Sequence, residues 1–193
     1  MTPRPHGGPL QIPTGGFAMK LNIRPGTPGD LDALAQLYDD LNDHLQRTVN
    51  WPGWAKGIYP ARQDAADGLA EGTLWVAEDA AGLAGTVILR HTPQPAYRTV
   101  QWQAPLEDAR VLVLYTLAVD WLHQDQGVAS ALLDFAARRG RAEGSGALRL
   151  DVYEKNAPAI RLYEANGFAR IGAVSLGLEQ YGLDRFYLYE KLL

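Results

Sequence analysis

Residues 111–130 read VLVLYTLAVDWLHQDQGVAS and decide the fold of this chain. The run 111–119 is apolar without alternation, which predicts a central strand covered on both faces. After Gly127 the apolar residues recur at helical spacing, at Val128, Ala131, Leu132, Phe135 and Ala136. The stretch therefore predicts a strand that feeds a helix through a glycine turn.

Such a turn points unpaired backbone N–H groups at one spot, where the helix macrodipole adds partial positive charge. This geometry suits a pyrophosphate. Gly127 lets the backbone approach a ligand, and Ala129 and Ser130 are too small to shield the amides. Alone, the turn is equally compatible with a packing role. The chain has no GK[ST] and no GxGxxG after a strand, which argues against nucleotide hydrolysis and hydride transfer.

The rest of the chain predicts a mixed α/β sheet in one domain covering residues 19–193, after a Pro- and Gly-rich flexible tail at residues 1–18. Residues 51–60 are too rich in Pro and Gly for regular structure, and a Pro-containing linker runs to Glu107. Helices are expected at residues 31–47, 61–70, 127–143 and 156–166. Strands are expected at residues 21–24, 73–78, 83–90, 111–119, 147–152 and 168–171, and at 185–192, which closes the sheet.

Composition limits the function classes. The 193 residues are 47% hydrophobic and carry a net charge of −4, so no overall basic field attracts nucleic acid or a membrane surface. No run approaches the roughly 20 apolar residues that span a bilayer. There is no cysteine, which fits a reducing compartment and predicts a cytoplasmic protein. The four histidines are scattered without ligand spacing, so we expect no metal site.

The motifs resemble those of the GNAT N-acetyltransferases. QDQGVA at residues 124–129 matches the family's Q/R-x-x-G-x-G/A signature, at its place between the fourth strand and the third helix. LDVYEKN at 150–156 and APAIRLYEANGF at 157–168 are similar to the segments that follow it. The resemblance implies a GNAT-type acyl-CoA N-acyltransferase fold, with a mixed, mostly antiparallel sheet, flanking helices and splayed central strands.

The resemblance also implies acetyl-CoA as the acyl donor and assigns residues to it. Main-chain groups of Leu117, Ala118 and Val119 are expected to meet the pantetheine arm and the thioester. Asn156 is implied to bond the pantetheine, and Tyr163 to lie near the coenzyme A sulfur and protonate the leaving thiolate. The pyrophosphate is implied to lie against the amides of Gln124, Asp125, Gln126, Gly127, Val128, Ala129 and Ser130.

The spacing of Asn156 and Tyr163 agrees with that assignment, because seven residues make two helical turns and place both side chains on one face. The structural alternatives stay open: Asn156 is also a good N-cap, and Tyr163 could be a core aromatic. The chain departs from the family pattern at Trp121, where a proline is common, and at Asp125 and Gln126, where glycine and basic residues are common. The carboxylate of Asp125 would repel a neighbouring pyrophosphate and so weaken its binding.

The implied reaction is direct transfer of an acetyl group to a primary amine in a ternary complex. A lysine-type amine with a pKa near 10.4 is protonated at neutral pH, so a general base is expected. Four residues near strand ends could serve, and none is assigned: Glu78, Glu107, Asp120 and Tyr115.

The acceptor is expected to be a small-molecule amine or an amine of a peptide or protein. In the family layout its pocket is flanked by residues 51–60, with Trp51, Trp54 and Tyr59, and by residues 176–186. Glu179 or Asp184 in the second segment is available to attract a cationic amine. The alternative for the three aromatic residues is packing of the early helices onto the sheet. A homodimer through the C-terminal strand or exposed aromatic residues is also compatible with the sequence.

Two rival functions stay open. The same fold could form a non-catalytic module that senses coenzyme A or binds a partner through residues 51–60. An unrelated α/β interaction domain is the other alternative, and it predicts no binding of coenzyme A. Thermal-shift titration with acetyl-CoA separates these alternatives, since a ligand that binds only the folded state raises its stability.

Overall fold

The computed structural model of the chain describes residues 21–193, so the expected tail at residues 1–18 lies outside the described residues. Within residues 21–193, seven strands form one sheet in the order β1-β2-β3-β4-β5-β7-β6. Neighbouring strands are antiparallel except β4 and β5, which are parallel, as a mixed, mostly antiparallel sheet requires. The strands are β1 (Asn22–Pro25), β2 (Leu74–Asp79), β3 (Gly82–Arg90), β4 (Val111–Val119), β5 (Ala147–Tyr153), β6 (Ala169–Val174) and β7 (Phe186–Leu192).

In the described part of the chain, four α-helices cover the two faces of the sheet. Their bounds are α1 (Leu31–Arg47), α2 (Arg62–Ala70), α3 (Val128–Ala142) and α4 (Ala157–Ala165). The larger core joins the apolar stripe of α3 and the aromatic residues Tyr163 and Phe168 to one face of the sheet, which we call the α3 side. A second core joins α1 to the opposite face, the α1 side. Residues of the segment 95–106 pack on β4 and β7 in a third, smaller core.

The two central strands separate along their length. β4 and β5 pair only at Val111 to Val113 against Ala147 to Arg149, although both strands continue well beyond these residues. The splayed central strands implied by the family resemblance are therefore present. A gap opens in the middle of the sheet where two neighbouring backbones no longer bond each other.

A bulge interrupts β4 at this gap. The pairing with β3 shifts register between Thr86 and Ile88, and Thr116 has a φ of 48°, which is rare for a β-branched residue. The hydroxyl groups of Thr116 and Tyr59 lie 3.0 Å apart and hold the bulge from the α1 side. Strained backbone of this kind costs about 1–3 kcal/mol and persists where surrounding contacts impose it.

The structure confirms the predicted helices and strands to within a few residues and corrects two expectations. The strand predicted at 185–192 does not close the sheet, because β7 lies between β5 and β6 and pairs with both. The linker that ends near Glu107 contains a 3-10 turn, Pro95–Thr99, and packs on the sheet through Tyr97 and Trp102; a second 3-10 turn, Asp108–Arg110, follows it. As predicted, residues 51–60 contain neither helix nor strand.

Candidate functional site

A large cavity lies where β4 and β5 part, with a volume of about 1070 Å³. Leu114, Leu150 and Tyr163 line it and belong to the core of the α3 side. Tyr59 and Asp151 line it as well, and their hydroxyl and carboxylate groups bond residues of the α1 side. Because residues of both faces line it, the cavity extends through the gap between the two strands.

Asp151 is a half-buried carboxylate on the wall of this cavity. It lies in β5 between the core residues Leu150 and Val152, and strand alternation turns it to the α1 side. The hydroxyl of Tyr97 donates a 2.8 Å hydrogen bond to its Oδ2. Burial raises the pKa of Asp151 to about 6, against an ordinary value of 3.8. The carboxylate is therefore mostly ionised at pH 7, yet basic enough to accept a proton.

Tyr163 and Asn156 both line the cavity, as their spacing predicts. The Tyr163 ring is buried in the α3-side core, and its hydroxyl forms no hydrogen bond with any side chain or backbone group of residues 21–193. Burial, reinforced by the charge of Asp151, raises the pKa of Tyr163 and keeps the hydroxyl protonated. The Asn156 Oδ1 accepts a hydrogen bond from the Ala159 N–H at 3.3 Å, so this residue is also the N-cap of α4.

The loop before α3 presents free amides. Within residues 21–193, no hydrogen bond involves the backbone N–H of any residue from Gln124 to Ser130 as donor, and the first bond of α3 begins at the Ala131 N–H. Gly127 is the N-cap with a φ of 83°, in the left-handed region that favours glycine. Asp125 also has a positive φ, 59°. Without a partner among the described residues, and at the N-terminus of α3 where the helix macrodipole favours an anion, lie the amides of Gln124, Asp125, Gln126, Gly127, Val128, Ala129 and Ser130.

A histidine fixes the start of this loop. His123 Nδ1 lies 2.8 Å from the Asp120 carboxylate, and His123 Nε2 lies 3.3 Å from the Asp79 carboxylate at the end of β2. Trp121, at the position where the family often has proline, stacks on His44 of α1 with ring centroids 5.0 Å apart. The loop is therefore tied both to the sheet and to α1.

The end of β4 holds the other residues assigned to the pantetheine arm. Leu117 lines the cavity directly beyond the bulge. Ala118 and Val119 instead pair with Thr86 and Gly85 of β3, so their backbones are fixed on that side. A side chain at Gly85 would come within 2.9 Å of the Ala118 carbonyl oxygen, so glycine permits the close approach of β3 to β4.

Three of the four candidate bases lie outside the lining of the cavity. Glu78 is 2.7 Å from Arg24, and Asp120 bonds His123. Glu107 precedes a 3-10 turn. Tyr115 does line the cavity, but its hydroxyl donates to the Thr92 carbonyl at 2.9 Å.

Sequence reasoning missed Asp151 as a candidate base. The stretch LRLDVY alternates apolar and polar residues, and this pattern alone does not distinguish a half-buried carboxylate at Asp151 from one on a solvated face.

The walls on the α1 side come from the two segments named for the acceptor. Trp54 and Tyr59 line the cavity and meet edge to face, with centroids 5.6 Å apart. Trp51 does not line it and is 42% exposed. Glu179 and Asp184 are also absent from the lining, and Glu179 accepts a hydrogen bond from Ser175 instead. The expected attraction of a cationic amine to these two carboxylates is therefore not supported by their positions.

Across residues 21–193, no group of three or more His, Asp or Glu side chains is arranged to hold a metal ion. Over the same residues, none of the helices has the length and apolar character needed to cross a bilayer.

Comparisons with known proteins agree with the fold. The model of the Acetyltransferase (GNAT) family matches residues 34–168. An acetyltransferase of the GNAT family from Streptococcus agalactiae has a solved structure that superposes with a TM-score of 0.72 at 21% identity, covering 90% of this chain and 95% of that one.

Two relatives are more similar in sequence. An uncharacterized protein of Mycobacterium leprae is 33% identical over 76% of this chain. The "Probable N-acetyltransferase family 8 member 5" of Mus musculus is 33% identical over 55% of it. The matched regions span 34% and 42% of those two relatives, which is less than half of each.

Proposed function

Because this chain belongs to the GNAT acetyltransferase family, we propose that it is an N-acetyltransferase that moves an acetyl group from acetyl-CoA to a primary amine. The transfer is direct, in a ternary complex, since the chain has no cysteine to carry a thioester. One observation carries the proposal. The cavity through the splayed sheet brings together a protonated Tyr163 from the α3 side and an ionisable Asp151 from the α1 side.

The residues present fit coenzyme A. The free amides from Gln124 to Ser130 can bind its diphosphate, and the acidic net charge of the chain does not oppose a site made of backbone donors. Asn156 and Leu117 line the cavity where the pantetheine arm would pass. The bound cosubstrate supplies an acetyl group activated as a thioester.

The protein groups then move protons. Asp151 takes one proton from the ammonium form of the acceptor and passes it to solvent, which leaves a neutral nitrogen. That nitrogen forms a bond to the acetyl carbon as the carbon–sulfur bond breaks, and its second proton leaves to solvent by way of Asp151. The Tyr163 hydroxyl gives its proton to the departing thiolate and recovers one from solvent. Asp151 and Tyr163 are on opposite sides of the sheet, so each can reach a different end of the reacting group.

Titration calorimetry with acetyl-CoA, followed by an assay of thiol release with a panel of amines, tests the proposal. We expect heat of binding and turnover with at least one amine. Tight binding without turnover of any amine would instead support the coenzyme A-sensing module, and no binding at all would contradict the use of acetyl-CoA by this chain.

Replacing Tyr163 by Phe should lower kcat for thiol release about 100-fold, the effect typical of a lost general acid. Stability should hardly change, because the hydroxyl has no hydrogen-bond partner among residues 21–193. Tyr189→Phe is a matched control, since Tyr189 is a buried tyrosine 6.3 Å away whose hydroxyl bonds Glu164 rather than facing the cavity. Equal kcat values for the two variants would exclude Tyr163 as the acid.

Replacing Gly127 by Ala should weaken the binding of acetyl-CoA in calorimetry. A left-handed backbone costs an L-residue about 1–2 kcal/mol, so the loop would relax and its amides would turn away from the diphosphate. Gly144→Ala is the control, because Gly144 has nearly the same φ, 85°, and equally open surroundings at the far end of α3. Both variants should lose similar stability. A similar loss of affinity in both would place the anion site elsewhere.

A further inference from the structure

The α1 side of the cavity is walled by apolar and aromatic side chains. The apolar wall, as we call it, consists of Trp54, Ile58, Tyr59, Leu178 and Leu183. Ile58 remains 55% exposed, so it lies at the mouth. A pocket with such walls favours a ligand with an apolar body.

The carboxylates around the cavity are not equally available. Asp64 accepts a 2.8 Å hydrogen bond from the Ala61 N–H and so caps α2. Glu71 is 2.6 Å from Arg90. Asp151 has no cationic partner among residues 21–193, and its one hydrogen bond comes from the neutral Tyr97. It is thus the carboxylate left to attract an ammonium group.

The cations around the cavity are already engaged. Among the lining residues of the described chain, Arg90 is the only arginine or lysine, and it both pairs with Glu71 and lies over the Tyr115 ring at 5.3 Å. His91 Nδ1 lies 2.7 Å from the Val111 carbonyl oxygen. A carboxylate on the acceptor would therefore enter beside Asp151 with no free cation to pair with.

Building on the proposed function, we infer that the acceptor is a small monoamine with an apolar body and no carboxylate group. Its ammonium end meets Asp151, and its body lies against the apolar wall. A free amino acid is disfavoured by repulsion from Asp151. A diamine is disfavoured because its second charge would lie against apolar side chains without a partner.

The test compares kcat/KM for thiol release with three probes: 2-phenylethylamine, phenylalanine and 1,4-diaminobutane. Phenylalanine differs from the first probe only by a carboxylate, and the diamine replaces the ring with a second charge. We expect kcat/KM for 2-phenylethylamine to exceed that for each of the other two probes by at least about tenfold. This is the discrimination expected when an apolar pocket meets a group that does not fit it. Equal or better kcat/KM with phenylalanine or the diamine would overturn the inference.

Failure of the inference is distinguishable from failure of the proposed function. If 2-phenylethylamine is inert while other amines are acetylated, the inference is wrong and the acetyltransferase function stands. If acetyl-CoA binds but no amine yields thiol, the proposed function fails and the inference with it.

A charge introduced at the mouth provides a second test. Ile58→Arg should narrow the preference for 2-phenylethylamine over phenylalanine, because the new guanidinium can pair with the amino-acid carboxylate. Val49→Arg is the matched control, since Val49 is 54% exposed and lies outside the cavity lining. The control should keep the original preference. An identical preference in Ile58→Arg and the unmodified protein would contradict the placement of the acceptor against the apolar wall.

Discussion

Asp151→Asn is expected to abolish turnover and at the same time make the protein more stable. Asparagine keeps the shape of the side chain, and its amide oxygen can still accept the hydrogen bond from the Tyr97 hydroxyl. It cannot act as a base toward the amine. Loss of a positioned general base typically lowers kcat by about 10²–10⁴-fold. A drop in kcat together with a higher melting temperature cannot be explained by partial unfolding.

The gain in stability follows from the raised pKa. Below pH 3.8 the carboxyl is protonated in both states, so it has no effect on stability. Between 3.8 and about 6 it ionises in the unfolded chain but stays protonated in the fold, and this favours unfolding. Above pH 6 the penalty is constant. Each pKa unit corresponds to about 1.4 kcal/mol, and solvent screens part of this because Asp151 is only half-buried, so the variant should gain about 1–3 kcal/mol at pH 7.

The same pKa predicts the pH dependence of the reaction. In the unmodified protein, kcat/KM should fall on the acidic side with a break near pH 6, where Asp151 becomes protonated. Glu78→Gln is the control, since Glu78 is a carboxylate outside the cavity lining. It should keep both the activity and the acidic break. A break that persists unchanged in residual activity of Asp151→Asn would assign the base to another group.

Glu190→Ala should lower the free energy of unfolding by about 3–5 kcal/mol, the usual cost of leaving a buried charge unpaired. The Glu190 and Arg149 side chains are 0% and 5% exposed and lie 2.9 Å apart. Glu190 also accepts hydrogen bonds from the N–H groups of Gln103 and Ala104. The substitution therefore removes the carboxylate partner of a buried guanidinium and the acceptor of two backbone amides at once. Chemical denaturation measures the loss.

An exposed ion pair provides the control for this prediction. Asp134 and Arg138 are one turn apart on α3, and their side chains are 61% and 65% exposed. Asp134→Ala should cost no more than about 0.5 kcal/mol, as is usual for such pairs. If Glu190→Ala lowered the free energy of unfolding equally little, the buried pair would not stabilise the segment around Gln103. Activity should also fall in Glu190→Ala, because that segment includes Tyr97, which bonds Asp151.

Local patterns predicted much of the fold and the residues proposed to bind acetyl-CoA. The turn at Gly127 is a local feature, since a strand followed by glycine and a helical stripe leaves the first amides free. The helical spacing of Asn156 and Tyr163 fixes their common face in the same way. These predictions needed no knowledge of which strands become neighbours.

The residues proposed to act on the acceptor amine could not be predicted in this way. The candidate bases were chosen because they lie near strand ends, yet Glu78 pairs with Arg24, 54 residues away, and Asp120 bonds His123, and neither carboxylate lines the cavity. Tyr97 lies in a segment that is proline-containing and has no strand or α-helix, so its contact with a strand 54 residues away leaves no periodic signal. Which carboxylate lies at the cavity therefore depends on tertiary packing rather than on the local sequence pattern.

The sequence by itself determined the family motifs, the order of helices and strands and the glycine turn, because hydrophobic periodicity and backbone preference act between near neighbours. Tertiary structure alone decided the insertion of β7 beside β5, the length of the gap between β4 and β5, and the burial of Asp151 beside Tyr97. The pKa of a carboxylate depends on how much water the fold removes from it, and that quantity exists only once distant segments have packed.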